Sequence, residues 1–176
     1  LISPTFFLDK NHHEFILHHV NLSKADLTRF DLRGISLMGA NLMRSKLKGA
    51  NLRGTNLIRA NLSEADLRNA DLNESILIEA NLRGAHLQKA NLNEAILMKA
   101  NLEDTNLQET DLRGVVLVEA NLIDAKLQQA NLKDANVIAV DLRDTILRGA
   151  HLEDAFYDED TKFPEGFDPE KAGMIK

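Results

Sequence analysis

Four imidazoles fall within eight residues, His12, His13, His18 and His19, and closely spaced imidazoles are the side chains that hold zinc, nickel or copper. A complete site also needs a thiolate or carboxylates converging on the same ion. The chain has no cysteine and no conspicuous carboxylate trio beside these histidines, so the cluster reads as a polar edge and no cofactor is expected. Nucleophilic chemistry is no better served. There is no Gly-x-Ser-x-Gly elbow and no glycine loop to cradle phosphate, and serine and histidine rarely share a neighbourhood. Lack of cysteine also removes disulfides and thiol redox steps. The expectation is a protein that binds and does not catalyse.

Carboxylates are the other chemically capable groups, 27 Asp and Glu against 21 Lys and Arg, for a net charge of −6. Their placement matters more than their sum. Residues 15–154 carry 17 basic and 19 acidic side chains, so most of the imbalance lies outside them. Within that stretch the first half is +3 and the second −5. Asp104, Asp124 and Asp144, with Asp134 and Asp154 as neighbours, form the acidic candidate face toward the C-terminal end.

No apolar run approaches the ~18 residues that cross a bilayer, so no membrane insertion is expected. The chain begins at Leu1, not methionine, which implies that an upstream stretch was removed. The compartment is therefore open, with the cytoplasm favoured and the periplasm or thylakoid lumen the alternatives if a signal peptide was lost.

The element that carries these residues is set by a repeat. Every fifth residue from Leu17 to Leu152 is leucine, Val137 being the one exception among 28 positions. Two residues before it stands a mostly small residue, as at Ala40, Ser45 and Thr55. A period of five scatters the leucines around an α-helix and flips them between the faces of a straight strand. The backbone must turn once per repeat, with the leucine and the small residue inward and the other three positions outward.

The number of sides follows from the outward positions. The residue after the leucine is apolar at Met38, Met43, Ile58, Ile78, Met98, Val118, Ile123 and Ile138, and six of these eight recur at intervals of twenty. Before the leucine, Asp31, Asn51, Asp71, Asn91, Asp111 and Asn131 alternate acid with amide at the same interval. Two further columns, Asp26, Lys46, Asp66 and Arg59, Glu79, Lys99, Glu119, alternate in sign, which sets opposite charges across each rung. Four repeats thus make one coil, and about seven coils stacked at ~4.8 Å form a rod ~34 Å long. Asn or Asp fills the pre-leucine slot in 13 of 14 places on two opposite sides and 5 of 14 on the other two. Its short side chain is expected to bond nearby backbone at the turns.

Leucines fill the axis and leave no pore. Residues 1–14, with Phe6, Phe7 and Leu8, are expected to cap the first coil. Residues 155–176, with Phe156, Tyr157, Phe163 and Phe167, are expected to cap the last.

The unbroken register of Ala60-Asn61-Leu62, Ala65-Asp66-Leu67 and Ala70-Asp71-Leu72 resembles the pentapeptide repeat family, across residues 15–154. The resemblance implies an all-β fold, a right-handed quadrilateral β-helix (solenoid) of about seven four-repeat coils with non-repeat caps at both ends. The tail from Ala155 to Pro169 resembles the ending of cyanobacterial members. The best understood branch of the family inhibits type II topoisomerases by imitating DNA, through a strongly negative surface. The near-neutral body of this chain departs from that pattern. A topoisomerase such as DNA gyrase is therefore the alternative partner, met through the acidic face.

The first expectation is a non-catalytic interaction or scaffold module. Ile58, Ile78, Met98, Val118 and Ile138 share one side with Ile76, Ile96 and Val116 from the pre-leucine column. A contiguous apolar strip marks a contact surface for a protein partner or a second copy. No nucleic-acid partner is expected.

Overall fold

A computed structural model describes residues 16–176. Among these residues there is no helix and no strand longer than one residue. From Ile16 to Asn136 the residue before each leucine or Val137 instead forms an isolated parallel bridge with the residue twenty positions on, as in Asn51↔Asp71↔Asn91↔Asp111. Four such columns run along the chain, beginning at Ile16, Asn21, Asp26 and Asp31. The β-structure is thus reduced to single rungs. Two of every five residues are spent turning, and what remains is too short to build a strand ladder.

The repeat Asn91-Leu92-Asn93-Glu94-Ala95 shows where the backbone hydrogen bonds go. Asn91 N–H donates back to Ala70 O at 2.9 Å, while Leu92 and Glu94 donate forward to Asp111 O at 2.7 Å and Arg113 O at 2.9 Å. Ala95 N–H closes the turn on Leu92 O at 3.0 Å. Asn93 N–H, the fifth donor, goes to the Asn91 side chain at 3.1 Å. Every Asn or Asp before a leucine among the described residues does the same for the residue two positions on, at 3.1–3.3 Å. This is the Asx turn that makes these residues the natural occupants of the slot.

The turn places the second residue after each leucine at positive φ, 57° at Glu94 and 62° at Gly54. Together with the bond from residue i+3 to the leucine carbonyl, this is the signature of a type II turn. Most repeats hold a non-glycine residue in that left-handed conformation, a cost of about 1–2 kcal/mol each that the stacked rungs must overcome.

The leucines form the core as expected, and those from Leu37 to Leu132 are essentially inaccessible. Buried hydroxyls at the small position find carbonyls: Thr55 Oγ1 donates to Leu32 O at 2.9 Å and Thr105 Oγ1 to Leu102 O at 2.6 Å. Ser45 Oγ, equally buried, has no partner.

The pairing does not stop where the leucine register ends. Asp141 bridges Lys162 and Phe156 bridges Ile175, so the twenty-residue step becomes 21 and then 19. Asp158 absorbs the slip: its carboxylate accepts Ala139 N–H at 3.0 Å, and that bond holds its pKa below the usual carboxylate value. Tyr157 and Phe163 meet edge to face at 5.6 Å, Phe163 stacks on Phe167 at 5.1 Å, and all three pack against the leucine core. The expected N-terminal cap, residues 1–14, lies outside the described residues.

Candidate protein-interaction surface

The eight apolar residues singled out in the sequence fall on one column. Ile76, Ile96 and Val116 bridge one another in parallel, and Ile58, Ile78, Met98, Val118 and Ile138 each follow the leucine of the same side. All eight are half-buried. Two residues that the sequence reading placed in the C-terminal cap extend the column, because Asn136 bridges Phe156 and Phe156 bridges Ile175. Both are exposed, at 44% and 43%. Phe156 was discoverable, since it keeps the twenty-residue register of Val116 and Asn136; Ile175 was not, because it lies beyond the slip.

Apolar residues at the pre-leucine slot remove something the fold uses elsewhere. Ile76, Ile96 and Val116 have no side-chain acceptor, and among the described residues no protein group accepts the N–H of Ile78, Met98 or Val118. The neighbouring rungs on the same side keep the bond, from Ile58 N–H to Asn56 and from Ile138 N–H to Asn136, both at 3.1 Å. The strip therefore carries unpaired backbone donors at its centre and Asx turns at its margins.

Charge borders the strip on both edges. Along one, Arg59 pairs with Glu79 at 2.7 Å and Lys99 with Glu119 at 3.5 Å. The Arg59 guanidinium lowers the pKa of Glu79, with a smaller contribution from Lys99. Along the other edge stand Glu74, Glu94, Asp134 and Asp154, all exposed; Arg53 holds Glu74 at 2.8 Å and Lys133 reaches Asp154 at 3.7 Å.

The acidic candidate residues do not converge. Asp104, Asp124 and Asp144 follow the leucines of the Asn21 column, whereas Asp134 and Asp154 follow those of the Asp31 column, with the whole Asp26 column between. They follow different columns, because a spacing of ten residues steps past one bridge column to the next but one. Arg83 also lies 3.8 Å from Asp104.

The sign-alternating columns pair partly as expected. Lys46 meets Asp26 at 3.4 Å, but Asp66 turns to Arg68 two residues on, at 2.6 Å. The same fork recurs at Asp31–Arg33, Asp111–Arg113 and Asp141–Arg143, and hydrogen bonding to the guanidinium lowers the pKa of each carboxyl. These pairs lie within one repeat and not across rungs.

Of the histidines, His18 Nε2 lies 2.8 Å from Ser36 Oγ, and its ring meets His19 edge to face at 6.5 Å. His12 and His13 lie outside the described residues. Among the described residues no three His, Asp or Glu are grouped to hold a metal, and no helix is long and apolar enough to cross a membrane.

No curated protein matches the chain. Solved structures do. A pentapeptide repeat protein, Rfr23, from the cyanobacterium Cyanothece 51142 is 38% identical over 53% of this chain and 63% of its own, with a TM-score of 0.52. The chain thus spans less than two thirds of that relative. A pentapeptide repeat protein from Nostoc PCC 7120 is 38% identical over 68% of this chain and 82% of its own, with a TM-score of 0.41. HetL from Nostoc sp. strain PCC 7120, described as involved in heterocyst differentiation regulation, is 29% identical over 92% and 87%, with a TM-score of 0.40. The family model for pentapeptide repeats (8 copies) matches residues 16–54, 35–73, 75–114 and 116–154. With the bridges stepping by twenty, the leucine core and the family-model match in agreement, the chain belongs to the pentapeptide repeat family, whose fold is a right-handed β-helix.

Proposed function

We propose that this protein is a non-catalytic interaction module that docks a protein through its apolar side. The observation that carries the reading is the row Ile76, Ile96, Val116, where the Asx turn is given up for outward apolar surface. The Asn21 column keeps Asn at this slot from Asn21 to Asn121, whereas this row is apolar at three successive rungs. The body is read as a four-sided rod of about seven coils over residues 15–154, capped by residues 1–14 and 155–176. The four bridge columns and the closing aromatic cluster support that division. A straight rod holds adjacent rungs at ~4.8 Å, so one side offers a partner a ruled and rigid surface.

Replacing Ile78 and Val118 together by Lys leaves the leucine core intact and puts two ammonium groups on the strip. Docking then has to desolvate unpaired charge, which weakens association by a few kcal/mol. Folding is expected to change by little more than ~0.5 kcal/mol per site. Pull-down from the source organism and thermal unfolding read the two quantities. Retained partners with an unchanged melting curve would overturn the reading, as would stoichiometric inhibition of DNA gyrase supercoiling by the parent protein.

A further inference from the structure

The charges along one edge of the strip are arranged so that this edge complements a reversed copy of itself. In chain order the edge reads Arg59, Glu79, Lys99, Glu119, one residue per rung and alternating in sign. Read backwards, the signs are inverted. A four-rung ladder of this kind meets its own reverse with opposite charges at every rung.

Resting on the reading of the apolar side as a docking surface, we propose that its occupant is a second copy of this chain. The copy lies antiparallel, about a two-fold axis that passes between the Ile78 and Met98 rungs. Such a contact is isologous, so each pairing occurs twice. Ile78 comes opposite Met98 of the second copy, Ile58 opposite Val118, and Ile76 opposite Ile96. Along the ladder edge Arg59 meets Glu119 and Glu79 meets Lys99. On the other edge Glu74 comes opposite Glu94, with Glu74 already held by Arg53 at 2.8 Å, and Gly54 opposite Gly114 leaves room for close approach.

Neighbouring arrangements are worse. Moving the axis to the Met98 rung sets Glu79 against Glu119 and Lys99 against itself. Moving it to the Ile78 rung sets Arg59 against Lys99. Parallel rods match Lys99 with Glu94 but oppose Glu79 to Glu74, and leave Arg59 and Glu119 facing Gly54 and Gly114. The charges of the ladder edge select one register, which is how rim electrostatics act at interfaces.

From Ile58 to Ile138 the strip is ~20 Å long, short of a face that buries the ~800 Å² per partner of a typical stable complex. Association is therefore expected to be micromolar or weaker and is measured up to several hundred micromolar. The decisive variant inverts the ladder, with Arg59→Glu, Glu79→Lys, Lys99→Glu and Glu119→Lys in one chain. It preserves opposite charges between neighbouring rungs and the palindrome, so sedimentation should show it dimerising within about threefold of the parent. A mixed dimer places like charges at every rung of the edge. Energy transfer between labelled parent and inverted chains should show mixed pairing weakened at least about tenfold.

The single substitution Glu119→Lys, which faces Arg59, should weaken self-association several-fold, while Glu109→Lys, on another side and paired with Lys89 at 3.3 Å, should not. Free mixing of parent and inverted chains would overturn the antiparallel arrangement. A parent that stays monomeric throughout would overturn the second copy as occupant. That failure remains distinct from a failure of the docking surface itself, which is read by partner capture with the Ile78 and Val118 lysine variant.

Discussion

A repeat such as Asn91–Ala95 has five backbone N–H groups, and the backbone alone satisfies four of them; the fifth depends on whether the residue before the leucine can accept a hydrogen bond. This explains why Asn and Asp recur there more directly than any ligand role. That these side chains would bond local backbone was legible from their types. Which donor they would serve was not, because it depends on the phase of the turn. The Asp–Arg forks at Asp66–Arg68 and Asp111–Arg113 were likewise hidden, since residues two apart on a straight element share a face for different reasons. Buried hydroxyls at the small position obey the same accounting. Ser45 Oγ is the exception, buried with no partner, where Thr55 and Thr105 donate to carbonyls. Ser45→Ala should therefore raise stability by about 1 kcal/mol, because it removes an unsatisfied polar group. A urea midpoint shifted to lower concentration would show that the hydroxyl has a partner after all.

A bridge column is the next unit, and the four columns are not equivalent. The period of twenty in the outward apolar residues was sufficient to place all eight strip residues together, since a constant register carries no cumulative error. The acidic set divides over two bridge columns, because its two halves are spaced by ten. On the apolar column, the N–H of Met98 lacks an acceptor because Ile96 stands where Asn would bond it. Ile96→Asn restores an Asx turn, worth about 0.5–1.5 kcal/mol, against the loss of part of a half-buried aliphatic side chain. The melting temperature is expected to hold or rise while association weakens. A stability loss well beyond ~1 kcal/mol, with association intact, would mean that isoleucine is there as a strand former on a pleated surface.

At the scale of the whole molecule, the rod is a one-dimensional stack in which each rung meets only its neighbours. Its body was readable from the leucine register, as the leucine core and the bridges show. Its C-terminal end was not, because the steps of 21 and 19 that carry Lys162 and Ile175 into register follow no repeat. Those steps bring Phe156 and Ile175 onto the apolar column, so the end of the rod and the proposed contact are continuous. The four methionines report on this arrangement without further mutation. Met98 lies at the centre of the strip, Met38 on the same side toward the N-terminal end, Met43 on the adjoining Asn21 column, and Met174 is buried at the C-terminal end. Met98 and Met43 are both half-buried, so their thioethers start from comparable access to peroxide. The most direct test is oxidation of each methionine, read by mass spectrometry, from dilute monomer to concentrated, associated protein. Docking through the apolar side predicts that Met98 becomes protected while Met43 does not. Equal rates at Met98 in dilute and associated protein, or protection of Met43 alone, would contradict it.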